Sequence, residues 1–222
     1  MGRREHWKQN LKMYIPDKYK ESDRSLIVEF LRENNFGILI SASKQIQATH
    51  IPFHFEKGSF GLELSAHLSR ANPQWNEFNE DEEVLIIFQG VHGYISSSWY
   101  DHENVPTWNY LAVHIRGNLK VLNEEETKIE IEKLMDVHEK DMKNPVSMDR
   151  FSDETLEQLR GVVGIIIQAN SIEAKRKLSQ NRDDVNFDRI IAQLEVSESV
   201  MDRELAKEMR KNRPKTSGSS LD

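Results

Sequence analysis

Several short stretches of this 222-residue chain gather side chains that could do chemistry. In Leu64–Trp75 (LSAHLSRANPQW) a strand-like run ends at His67. Ser69 and Arg70 stand just before a helix that Asn72 caps and Pro73 opens. The first turn of a helix leaves backbone N–H groups unpaired at a partly positive end, which suits a phosphate. Ser69 would add a hydroxyl donor and Arg70 a planar fork for two phosphate oxygens. An ordinary capped turn carries the same residue types, so spacing alone leaves both readings standing. Further on, Gly93–Tyr110 (GYISSSWYDHENVPTWNY) places Trp99, Tyr100, Trp108 and Tyr110 within twelve residues and shows little periodicity. Rings at strand ends usually pack into cores or dimer contacts; the functional alternative is a wall against a planar ligand, with amides reading its edges. Lys175–Arg182 (KRKLSQNR) then brings four cations close together. On a strand Lys175 and Lys177 share one face and Arg176 points the other way. The result is either a solvated basic strand or a patch facing a phosphate or a partner.

Other chemistries find little support. No GxSxG elbow is present, and Ser96-Ser97-Ser98 lies in a strand without the glycines of a sharp strand-to-helix turn. His50 and His54 point to one face of a strand, and His67 falls on an adjoining one. Residues four apart on a strand are separated by about 13 Å, too far to share an ion. These histidines therefore read as separate hydrogen-bonding groups. The absence of cysteine excludes a disulfide framework, an iron–sulfur centre and a thiolate zinc site.

The elements that must position these residues are mostly strands. Ser22 precedes an amphipathic helix carrying Leu26, Ile27, Phe30 and Leu31, which Asn35 and Gly37 stop. Strands are expected at Phe36–Ser43, Gln45–Phe55, Phe60–His67, Val84–Phe88, Gly93–Ser98, Tyr110–Leu122 and Val162–Ala169, with Ser171–Leu178 continuing the last. Lys57-Gly58-Ser59 supplies the turn into Phe60. Pro52 cannot donate to a ladder, so its strand belongs at an edge or bulge. Helices follow at about Glu124–Lys140, from Asp153 behind the cap Ser152, at Asp184 to about Leu194 and at Glu198–Asn212. Six or more strands with helices at the margins favour a small closed or partly closed antiparallel barrel.

Composition sets the outer limits. No run approaches a membrane helix, and no apolar stretch follows the basic start, so the expectation is a cytoplasmic protein. The net charge of −7 argues against a generally basic nucleic-acid binder. Leu122–Arg160 holds twelve acids against six bases and so carries −6 of that charge, as a solvated helix face does. Near the C-terminus, Lys207, Arg210, Lys211, Arg213 and Lys215 could give salt-dependent, non-specific DNA contact at most. DNA contact is thus expected to be weak or indirect.

MYIP (Met13–Pro16), ATHIPF (Ala48–Phe53), AHLSRANPQW (Ala66–Trp75), FQGVHGYISSSWY (Phe88–Tyr100), VPTWNY (Val105–Tyr110), AVHIRG (Ala112–Gly117) and KLSQNR (Lys177–Arg182) occur in order with suitable spacing. Together they resemble the PaiB family of FMN-binding negative transcriptional regulators, from Met13 to about Leu194. The resemblance implies a mainly β, six-stranded antiparallel FMN-binding split β-barrel with flanking helices, like that of pyridoxamine-phosphate oxidases, forming homodimers with flavin at the subunit interface. It implies that Ser69 and Arg70 hold the FMN phosphate, that Thr49 and His50 line the cofactor, and that His67 and Asn72 lie near the phosphate. Trp108 and Asn109 resemble the loop over the flavin; Lys177, Ser179 and Gln180 resemble the C-terminal segment of the site. Members are linked to repression of protease synthesis and sporulation. Ala66 and Val91 depart from the glycine and proline common at those places. The expected layout is an extension over 1–12, the split-barrel domain over 13–196, and a C-terminal helix and polar tail over 197–222. Three functions compete: an FMN-dependent regulator sensing redox state or a metabolite, a flavin reductase or oxidase, and a binding module that has lost its flavin.

Overall fold

A computed structural model describes residues 12–58, 61–79 and 82–213. Ser59, the first residue of the expected strand at Phe60, and Lys215 lie outside the described residues. In chain order the elements are β1 (Lys20–Glu21), α1 (Arg24–Glu33), β2 (Phe36–Ser41), β3 (Gln47–Pro52), β4 (His54–Gly58), β5 (Gly61–Ser69), β6 (Glu82–Ile95), β7 (Thr107–Val121), α2 (Glu124–Glu139), α3 (Asp153–Glu157), β8 (Val162–Lys177), α4 (Asp184–Glu195) and α5 (Val200–Lys211). The strands form one sheet in the order β3-β2-β6-β7-β8-β5-β4, with β1 pairing β8. The described pairings of β1, β2, β3, β4, β5 and β8 are all antiparallel.

The chain forms two compact units, and β6, β7 and β8 each give residues to both. The first comprises Val28–Phe88 and His114–Ile172. Here β3 and β4 are consecutive in the chain, joined by Phe53 alone, yet they end the strand order on opposite sides. The sheet of this unit must therefore roll until its two edges meet at that residue. Phe53 is buried, and its N–H donates to Asn35 O at 2.9 Å. Pro52 closes β3 on the edge, as its missing donor requires. Inside the roll Phe88 meets Phe53 and Phe55 edge to face, at 5.4 and 5.5 Å between centroids. Leu39, Leu64, Ile86, Ile115, Ile165 and Ile167 complete a core closed to solvent. Outside it, α2 begins with a reciprocal cap between Asn123 and Glu126 and three carboxylates in its first turn. Thr127 Oγ1 then accepts from Gly164 N at 3.1 Å, docking α2 on β8.

The second unit comprises Met1–Ile27, Gln89–Val113 and Glu173–Asp222. Its core joins Ile95 of β6 and Leu111 of β7 with Leu178, the inner faces of α4 (Phe187, Ile190, Ile191, Leu194) and α5 (Leu205, Ala206, Met209). Asp183 and Ser199 cap the two helices. The expected break between Val84–Phe88 and Gly93–Ser98 is absent: β6 runs unbroken from Glu82 to Ile95. The glycines that suggest a turn serve a close approach instead. A Cβ on Gly93 would lie 2.8 Å from Leu205 Cδ2, so its absence lets α5 come close to the strand. Conversely, Gln45–Phe55 is divided at Phe53, and Ser171 onward continues β8 to Lys177 as expected.

Candidate functional site

In the first unit the chain leaves β5 at Ser69 and enters the short 3-10 helix Pro73–Glu77. Asn72 caps it, accepting from Gln74 N at 2.9 Å, and Pro73 opens it. Ser69 is exposed; its hydroxyl oxygen accepts from Ala71 N at 3.3 Å, which leaves its hydrogen to donate elsewhere. Arg70 is partly committed. Its Nε donates to Arg160 O at 2.6 Å, its Nη2 to Val162 O at 3.3 Å, and its guanidinium lies over the Trp75 ring. Nη1 is the part of the fork with no described partner, and Glu124 stands 3.9 Å from Nη2.

Thr49 and Asn72 meet through a residue with no signal in the sequence, Gln74, which is 1% exposed. Thr49 Oγ1 donates to Gln74 Oε1 at 2.5 Å and accepts from Asn72 Nδ2 at 2.9 Å. Gln74 Nε2 donates to Ser41 Oγ at 3.0 Å. This network ties β2, β3 and the 3-10 helix together and saturates the Thr49 hydroxyl. His50 alternates to the outer side of β3 and stacks on Phe36 at 6.4 Å. His67 faces α2 and lines a hollow with Thr127, Glu130, Ile131 and Leu134. Burial there lowers its pKa and keeps the imidazole neutral.

In the second unit Trp108 stands 54% exposed, flanked by His92 at 6.3 Å and Tyr94 at 6.0 Å between ring centroids. Asn109, its neighbour, points inward and is fully buried. The Asn109 amide and the Ser179 hydroxyl bond each other, with Nδ2 to Oγ at 2.9 Å and Oγ to Oδ1 at 3.2 Å. Ser179 holds φ at 60°, a left-handed conformation unusual outside glycine, at the turn that ends β8. Gln180 closes that turn: Leu178 N donates to its Oε1 at 2.7 Å, and its Nε2 donates to Arg176 O at 2.6 Å and Lys18 O at 3.1 Å. Lys177 Nζ donates to Thr107 Oγ1. Its pKa is lowered, first by burial and then by the charges of Lys175, Arg182 and Lys18. Arg176 points away, to Glu208 and Glu21. The expected residues thus fall into two groups, one in each unit. Thr49 meets Asn72, and Asn109 meets Ser179; His50 and His67 stand apart from their neighbours' networks.

A mainly antiparallel sheet rolled on itself, with helices at its flanks, defines the class of split barrels. Residues 13–171 match the family described as "Putative FMN-binding domain", and the chain belongs to it; FMN is the cofactor that membership assigns. Within that class the chain is of the PaiB type. It is 40% identical over 199 residues to the protease synthase and sporulation protein PAI 2 of Bacillus subtilis, covering 89% of this chain and 96% of that one. It is 27% identical over 228 residues to an uncharacterized protein of Emericella nidulans, covering 82% and 90%. Among solved structures it is similar to the FAD and heme binding protein from Mycobacterium smegmatis, with a TM-score of 0.53 and 14% identity over 72% of this chain and 73% of that one. It is also similar to the flavocytochrome Anf3 from Azotobacter vinelandii, with a TM-score of 0.52 and 13% identity over 72% and 69%. At such identities these two likenesses speak for the fold alone.

The residues present fit the cofactor. A phosphate dianion needs donors that are not already saturated, and in the first unit the Ser69 hydroxyl and the remaining Arg70 N–H groups are such donors. A flat ring needs exposed aromatic surface, which Trp108 and Tyr94 offer.

Proposed function

We infer that this chain is an FMN-binding homodimeric negative regulator of transcription, of the kind that acts on protease synthesis and sporulation, with the flavin sensing redox state or a metabolite. The observation that carries this reading is the 40% identity, over nearly the whole of both chains, to a relative named for protease synthesis and sporulation. Bound FMN would supply one- and two-electron chemistry. The chain's own part is to hold and orient it. In the first unit Ser69 and Arg70 present donors and His50 a ring; in the second Lys177 presents a donor and Trp108 a ring. His67 is a neutral backing to the strand that leads to the phosphate turn. Thr49, Asn72, Asn109, Ser179 and Gln180 act differently from simple lining: their polar groups are spent on each other, so they fix the turns from which the donors project.

DNA contact is indirect or weak in this reading. Of the C-terminal cations, Arg210 is bound by Glu195, Arg213 by Asp184 and Asp188, and Lys207 by Glu204, which leaves them little charge to give a phosphate backbone. A cytoplasmic location is consistent with the described residues, where no helix is long and apolar enough to cross a membrane.

Titration of the purified protein with FMN should quench flavin fluorescence and turn the protein yellow. Unquenched flavin at micromolar protein would sink the reading. Arg70→Ala should weaken FMN by about 1.5–3 kcal/mol, the scale of a charge-assisted contact. Steady turnover of the bound flavin with NADH or NADPH would replace the regulator by an oxidoreductase.

A further inference from the structure

Where β8 ends, three cations of the Lys175–Arg182 run are joined by Lys18 from a remote segment. Lys175 and Lys177 stand two apart on one face of that strand. The bonds from Gln180 Nε2 to Lys18 O and from Tyr19 Oη to Asn181 Oδ1 draw Lys18 to the same turn. Arg182 follows three residues after the turn residue Ser179, whose carbonyl its N–H bonds at 2.9 Å.

What these four cations lean on is unusual. Lys175 is only 8% exposed, and its Nζ rests on Tyr14 O at 3.1 Å and on the Tyr14 and Tyr110 rings at 5.6 and 5.1 Å. Arg182 lies over the Tyr100 ring at 4.9 Å and Lys18 over the Tyr19 ring at 5.1 Å. Among the described residues Lys177 has only the Thr107 hydroxyl. Among the described residues no carboxylate forms an ion pair with any of the four. The acids nearby have other partners: Glu21 and Glu208 pair with Arg176, Asp183 caps α4 and bonds Asn186, Asp101 bonds His102 and Asn186, and Glu173, two residues before Lys175, accepts from Met13 N at 3.1 Å. Withdrawing cations from water without a counter-charge is costly, and ring faces return only part of that cost. In a chain of net charge −7, a cluster of four cations with which no described carboxylate pairs is set up for an anion supplied from outside.

We propose that Lys18, Lys175, Lys177 and Arg182 form a binding site for a phosphate dianion. Four donors at different angles suit the several oxygens of a phosphate better than a single carboxylate. The Tyr100 ring behind Arg182 is buried, which strengthens the contact that Arg182 makes. The phosphate has two sources, the flavin nucleotide itself or a second phosphorylated molecule, and the site's chemistry is common to both.

The test is thermal unfolding of the full chain in sodium phosphate against sodium chloride at matched ionic strength, for wild type, Lys177→Met and Arg182→Gln. Phosphate should raise the wild-type midpoint beyond chloride. Each variant should bind phosphate about tenfold more weakly, the scale of one charge-assisted contact. In chloride both variants should unfold no earlier than wild type, because removing one charge relieves repulsion among the rest. A phosphate increment missing from wild type, or undiminished in both variants, overturns the site. The source is read by repeating the titration with saturating FMN, and by comparing FMN with riboflavin, which lacks the phosphate. Loss of the increment assigns the site to the flavin's own phosphate and moves that group away from Ser69 and Arg70. Persistence assigns it to a second phosphorylated ligand. Failure of FMN to bind would sink the FMN reading, while the phosphate increment in the apo chain still decides this one.

Discussion

His67 shows how a single residue can look functional for one reason and be placed for another. In the sequence it sits two residues before Ser69, at the end of a strand leading to the proposed phosphate turn. In the structure it packs under α2 beside Ile131 and Leu134 and stays neutral because burial lowers its pKa. The consequence for stability has a definite sign. Below its ordinary pKa of 6.5 the unfolded chain takes up a proton that the folded chain refuses, so stability falls as pH drops through 6.5 towards the lowered folded value. Urea unfolding between neutral pH and pH 5 should show this slope, and His67→Gln should flatten it. An unchanged slope would mean that another group titrates there. Gln74 is the opposite lesson. A glutamine after Asn-Pro carries no sequence signal, yet its side chain bonds residues of both β2 and β3 because the 3-10 turn aims it into the unit rather than outward.

At the level of elements, local chemistry was legible and long-range packing was not. The caps at Asn72 and Ser152, and the extents of α2 and α4, follow from residues within one turn of each helix end. Continuation of β8 beyond Ala169 also followed, from β-branched and alternating residues. The unbroken course of β6 did not, because what makes Gly93 useful is Leu205, more than a hundred residues away. The face pattern of Lys175 and Lys177 was readable, but the tyrosines and Lys18 that make a cluster of them come from remote segments. Gly37 on β2 carries the same long-range dependence. A methyl group there would lie 2.6 Å from Phe88 Cε1, and that ring is wedged against Phe53 and Phe55. Gly37→Ala should cost about 1–3 kcal/mol, as overpacking of a filled core does. A denaturation midpoint equal to wild type would show that Phe88 can yield.

For the whole molecule, the exposed apolar side chains carry the prediction. Tyr14, Ile46, Val105 and Trp108 are each more than half exposed, a state in which single residues are common but aromatic ones invite cover. Sedimentation should show a dimer at micromolar concentration; a monomer would remove the proposed subunit interface. The single-residue join at Phe53 bears on how the chain reaches this state at all. The hairpin of β2 with β3 and that of β4 with β5 are local and can zip up early, tethered at one point. Between them must later come β6, β7 and β8, and β5 finds β8 only across the span from Ser69 to Val162. Non-local pairing of this kind is slow to nucleate. Until β8 emerges from the ribosome, β7 and β5 stand with their facing edges bare, so chains stalled or truncated before Val162 should aggregate through those edges rather than wait in solution.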